Sequence, residues 1–126
     1  MLKKMSEPFK LIEDKFSEEC NEWWWTYALE FELIFNEQLI NFITITDYIW
    51  KNKKGRKNIT QELILNIFKE KLNEKEAEPE PKKPNWKRDH FVLKRISFGD
   101  KKYKLVFWFK DGTANHLWIR NCHEQD

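Results

Sequence analysis

Two different periods can be read from the polar and apolar positions of this chain. In SEPFKLIEDKFSEEC, Phe9, Ile12 and Phe16 recur at helical spacing behind Ser6, a suitable N-cap, with Glu7 and Pro8 in the first turn. This predicts a helix over about residues 7–21. In WWWTYALEFELIFNEQLINFITITDYIW, Leu29, Phe31, Leu33 and Phe35 alternate with Glu30 and Glu32, and Ile43-Thr44-Ile45-Thr46 is a β-branched run. With Asn36-Glu37-Gln38 able to turn the chain, a β-hairpin of about residues 25–35 and 39–49 is preferred to one long buried helix. After Gly55 breaks the pattern, Asn58 or Thr60 can cap a helix over about residues 60–74, whose apolar stripe is Leu63, Ile64, Ile67, Phe68 and Leu72. From His90 onward, HFVLKRIS, KYKLVFWF and ANHLWIR read as a three-stranded antiparallel meander. The fold class expected is α+β: an antiparallel sheet of about five strands, the hairpin plus the C-terminal meander, flanked by two helices.

Between the second helix and the meander, EKEAEPEPKKPNW (74–86) holds three of the chain's four prolines and nothing large and apolar before Trp86. It is expected to be an exposed Pro/Glu/Lys-rich connector within a single domain spanning residues 1–126.

The turn at Lys110-Asp111-Gly112 decides which side chains share a face. A two-residue Asp111-Gly112 loop would mix polar and apolar residues on both faces. A three-residue loop with Gly112 in the left-handed conformation opposes Leu105 to Leu117, Tyr103 to Ile119 and Phe107 to Asn115. Tyr103, Leu105, Phe107, Phe109, Leu117 and Ile119 then form an apolar face. Lys102, Lys104, Val106, Trp108, His116, Trp118 and Arg120 occupy the other. Burying a large apolar side chain is worth about 1.5–3 kcal/mol, so the core favours this second register.

Composition adds bulk and an asymmetry. Seven Trp, ten Phe and three Tyr are ample core material. Residues 1–81 hold 12 basic against 16 acidic side chains, whereas residues 82–126 hold 11 against 5. The C-terminal third is therefore the candidate surface for an anionic partner. No apolar run is long enough to span a membrane, no signal-peptide order is visible at the N-terminus, and Cys20 and Cys122 do not make a disulfide framework. A cytoplasmic location without a membrane partner is expected.

Cations interleaved with flat rings suit single-stranded RNA, because Lys and Arg neutralise phosphates while Trp or His stacks on bases. Candidate RNA-binding residues are Arg95, Lys102, Trp108 and Trp118, joined by Lys51, Lys53, Lys54 and Arg56 of the basic loop KNKKGRK. The competing explanation is that a helix or the connector covers this face and the Lys heads merely snorkel outward. Trp23, Trp24 and Trp25 cannot share one face, so at least one is expected to meet another element or a second copy, and this region is a candidate for homo-oligomer contact.

The order LKRISFGDKKYKLVFWF, turn, NHLWIRNCH resembles the C-terminal strands of the RelE/ParE-type toxins of toxin-antitoxin systems. Leu93, Arg95, Gly99-Asp100, Tyr103, Lys104, Arg120 and His123 stand in matching places over about 35 residues. The resemblance implies a small sheet packed on a helical pair, a metal-independent ribonuclease acting on single-stranded or ribosome-bound mRNA, and a cognate antitoxin. It implies Arg95, Lys102, Lys104 and Arg120 as phosphate binders and stabilisers of the charged transition state, with His116 or His123 as the proton carrier. The alternative is a non-catalytic protein-binding module such as an antitoxin, immunity protein or assembly subunit.

Other chemistries have less support. Cys122 and His123 are adjacent on a strand and point to opposite faces, and no CxxC or HxxxH pair exists, so neither a metal site nor a Cys-His nucleophile is expected. Glu30 and Glu32 are explained by a solvent-facing side of the hairpin. Three glycines cannot be arranged here as a phosphate loop, and no cofactor is expected.

Overall fold

The computed structural model describes residues 8–51, 58–81 and 83–125. Its elements in chain order are β1 (Phe9–Ser17), β2 (Glu22–Leu29), β3 (Ile34–Phe35), β4 (Gln38–Leu39), β5 (Phe42–Thr46), a 3-10 turn (Asp47–Ile49), α1 (Gln61–Lys71), β6 (Phe91–Phe98), β7 (Lys101–Phe109) and β8 (His116–Gln125). Six strands form one sheet in the order β1-β2-β5-β8-β7-β6, and β3 and β4 form a separate two-stranded sheet.

This corrects the expected architecture of two helices flanking an antiparallel sheet of about five strands. The described residues contain one α-helix, and the main sheet is mixed, because β5 runs parallel to β8 while its other neighbours are antiparallel. The segment expected to be the first helix is the edge strand β1. Its register on β2 shifts between Leu11 and Glu13, which inserts an extra residue at Ile12. An inserted residue breaks the period of two, so Phe9, Ile12 and Phe16 acquire a spacing that mimics a helix.

The expected hairpin is recovered in altered form. β2 and β5 pair antiparallel, but the turn at Asn36-Glu37 closes the small β3–β4 hairpin set between them. Both turn residues have positive φ, 51° and 63°, as a type I′ connection requires. The second helix forms where expected, and Thr60 caps it by accepting from the Leu63 N–H at 3.0 Å.

The meander also forms, with a different register. Leu105 faces Cys122, Phe107 faces Ile119 and Phe109 faces Leu117, with a shift between Val106 and Phe107. The connection is longer than Lys110-Asp111-Gly112: the Lys110 N–H donates to the His116 carbonyl, and a turn closes from Thr113 N–H to the Lys110 carbonyl. Gly112 does supply the left-handed position, at φ 78°. Relative to expectation, Leu105 pairs five residues further along β8 and Phe107 four, and the bulge between them absorbs the odd step. Side chains therefore keep their expected faces.

One face of the sheet is core. Ile43, Ile45, Leu105, Phe107, Leu117 and Ile119 are buried against Ile64, Ile67 and Phe68 of α1. Phe68 meets Phe107 edge-on at 5.3 Å, and Phe35 of the small hairpin contacts Phe91, Phe107 and Phe109. Cys122 is also buried there. Among the described residues no helix is long and apolar enough to cross a membrane.

The connector is tied down at several points. The Asn36 side chain bonds both the N–H and the carbonyl of Ala77, and the Glu80 N–H donates to the His90 carbonyl at 2.7 Å. These contacts return the chain to the edge of β6 and carry Trp86 over the face opposite the helix.

Candidate nucleic-acid interface

The opposite face is laid out by strand register. Thr26, Thr44, Trp118 and Trp108 are successive neighbours across β2, β5, β8 and β7, and Trp24 pairs with Thr46 one step along. Thr26, Thr44 and Thr46 are buried, so small side chains form the floor between larger aromatic ones. Thr26 and Thr44 share a hydrogen bond of 2.7 Å between their hydroxyls.

Two aromatic groups stand on this floor. Trp24 and Trp118 meet edge-to-face at 4.9 Å. Beside them the connector contributes a pillar: Trp86 stacks on His90 at 4.0 Å, His90 stacks on Trp108 at 4.8 Å, and Arg88 lies 5.0 Å from the Trp108 ring. Trp108 is thus covered, while Trp24 and Trp118 border an open groove of about 790 Å³ that is also lined by Lys15, Lys87, Lys110 and Arg120. The face is half covered: the connector closes it over Trp108, as the competing explanation expects, and leaves it open at Trp24 and Trp118.

The two arginines are already engaged. Arg88 makes a forked pair with Asp111, at 2.9 and 2.8 Å, which holds the Asp111 carboxyl below its ordinary range. Arg120 lies over the Tyr48 ring and pairs with Glu22 at 3.2 Å. The other oxygen of Glu22 accepts from the Trp24 indole N–H, so one carboxylate positions both Trp24 and Arg120. Lys15 sits 5.6 Å from the Trp24 ring. An incoming phosphate would meet lysines directly and could compete for the arginines.

Of the residues expected from sequence, Trp108, Trp118 and Arg120 are brought together in this groove. The four candidate catalytic residues are not. Lys104 opposes His123, and Lys102 opposes Gln125, toward the far end of β7 and β8. His116 and His123 are separated along β8 by roughly 23 Å at about 3.3 Å per residue. The His116 ring is hydrogen-bonded through Nε2 to the Thr44 hydroxyl at 2.7 Å, and burial, aided by Lys110, pushes its pKa down to about 4. It is neutral at physiological pH. Burial, with Arg88 and Arg120 nearby, also lowers the pKa of His90.

Arg95 lies on β6 in a second groove. Lys51 pairs with Asp47 at 3.8 Å and donates to the Asn21 carbonyl. Lys53, Lys54 and Arg56 lie outside the described residues. Of the tryptophan triplet, Trp24 turns to the groove while Trp25 packs near Trp50, at 6.4 Å, and Trp23 packs edge-on against Phe16 at 5.2 Å.

Sequence reasoning missed Trp86, Arg88 and His90 because a connector shows no periodicity from which to place them. It missed Lys15 because one inserted residue gives the β1 segment a helical period, and it reached Trp24 only as one of a triplet that must meet another element, not as part of this groove. Among the described residues no three His, Cys, Asp or Glu side chains gather as metal ligands. No family model, no curated protein and no solved structure matches the chain.

Proposed function

We propose that the protein binds single-stranded RNA in the groove bordered by Trp24 and Trp118. The observation carrying this reading is the combination of an open edge-to-face tryptophan pair with Lys15, Lys87 and Lys110 around one groove. Ring faces take bases without regard to sequence, and the ammonium groups take phosphates. The separation of Lys104 and His123 from His116 and Arg120 favours binding over catalysis as the primary activity.

The test is a tryptophan-fluorescence titration with a short oligouridylate at several salt concentrations. Binding should weaken steeply with salt, and Trp118→Ala should weaken it about 5- to 150-fold, the range for one lost stacking contact of about 1–3 kcal/mol. Absence of binding at low salt, or binding by the Trp24→Ala and Trp118→Ala proteins as tight as that of the wild type, would sink the proposal. The ribonuclease version suggested by the toxin-like strands requires RNA cleavage by purified protein and growth arrest on expression. It also requires loss of both in Lys104→Ala and Arg120→Ala variants.

A second reading, a protein contact, is favoured by one observation. Leu11, Phe16 and Trp23 are 47, 40 and 44% exposed along the β1–β2 edge. A partner there would leave the aromatic groove accessible.

A further inference from the structure

We propose that the groove between the C-terminal end of α1 and the bulge of β6 binds a phosphate-class polyanion. Lys71 and Lys75 come from the helix end and the segment after it, Lys94 and Arg95 from the bulge, and Leu72, Leu93 and Ile96 form an apolar floor. The groove measures about 370 Å³, and among the described residues lining it there is no carboxylate. It is distinct in lining from the aromatic groove and does not rest on the RNA reading of that groove.

Two unfavourable features coincide here. Gathering like charges in a cleft raises their mutual repulsion and focuses a positive potential outward. Arg95 also holds a left-handed backbone, φ 54°, at the register shift between Leu93 and Ile96, where its N–H is fixed by the Gln125 side chain at 2.6 Å. A bulge of this kind re-aims side chains, and strained residues of ordinary type concentrate at functional positions. Compensation of the helix dipole accounts for Lys69 and Lys71, which lie in the last turn of α1. It does not account for Lys75 or Lys94, which lie beyond the helix.

The cationic rim specifies multiple negative charges, and the apolar floor leaves room for an organic group attached to them. A free nucleoside triphosphate and the 5′-triphosphate end of an RNA share this chemistry. Each would set its phosphates against the lysines and its remaining atoms over Leu93 and Ile96.

The experiment measures thermal stabilisation by pyrophosphate at low ionic strength, together with amide chemical-shift changes. Pyrophosphate should raise Tm in the wild-type chain and perturb residues 71–75 and 93–97. Lys75→Glu/Lys94→Glu should weaken the affinity at least about tenfold, while Lys10→Glu/Lys83→Glu, matched in net charge and lining neither groove, should leave it within about threefold. Far-UV circular dichroism checks that both variants fold. A Trp24→Ala/Trp118→Ala chain should retain the pyrophosphate response, which separates this site from the aromatic groove. Nucleoside triphosphate and 5′-triphosphorylated oligonucleotide, compared with a 5′-hydroxyl oligonucleotide, distinguish the two sources of the ligand. No stabilisation by pyrophosphate, or equal stabilisation of wild type and Lys75→Glu/Lys94→Glu, would overturn the proposal.

Discussion

His116 shows how strongly a single side chain can be redefined by its position. On the sequence it is one of three histidines in the chain, and the only one placed between the basic and aromatic residues of the last hairpin. In the fold its ring bonds Thr44, tilts against Phe42 and Trp118, and takes a proton only near pH 4. The unfolded chain takes that proton at about 6.5, so between these values the unfolded state binds more protons than the folded one. Stability is therefore fully present above about pH 6.5 and is lost as the pH falls through about 6.5 toward 4. His90, lowered for related reasons, acts in the same direction. Urea unfolding at pH 7 and pH 5 should show a drop in stability that is smaller in His116→Gln, with the remainder partly due to His90. An equal drop in both proteins would show that the ring is not buried as described. The same low pKa makes His116 a poor proton donor at neutral pH, whichever RNA reaction is considered.

At the scale of elements, the Asn36-Glu37 turn carries a conformational cost that sequence change can remove. Glu37 adopts φ 63°, where a Cβ is disfavoured, and its side chain is exposed. Glu37→Gly should therefore stabilise the protein by about 0.5–1 kcal/mol in urea unfolding, the gain from relieved strain exceeding the added freedom of the unfolded chain. Asn36 should be kept, because its side chain also holds Ala77.

The elements differ in how legible they were. α1 was plain, because its cap and apolar stripe agree. The faces of β7 and β8 were legible even though their register was not, since the longer turn moves the register beside it by four residues, an even step that keeps every side chain on its face, and the odd step enters only at the bulge beyond Arg120. β1 was misread for the corresponding reason, as one inserted residue changed its apparent period. The parallel β5–β8 contact left no local signal, because its partners lie more than 70 residues apart and either strand alternates equally well beside many neighbours.

For the molecule as a whole, the two cysteines report on different events. Cys20 is exposed near the groove and Cys122 is fully buried in β8. Cys20 should react with a thiol reagent at once, whereas Cys122 should react at a rate that follows opening of the sheet and rises with urea. Rapid labelling of both in native buffer would mean that β8 opens locally.

β8 is the latest of the strands in chain order, yet it lies inside the sheet, between β5 and β7. A ribosome that has delivered the chain only as far as Asn115 has released β1-β2-β5 and β6-β7 as two pieces with no strand to join them. Trp24 then has no Trp118, and Glu22 has no Arg120, so the groove does not exist in partial form. The complete groove should form in one step as the residues after His116 emerge, and a nascent chain would carry two unsealed sheet edges until that moment.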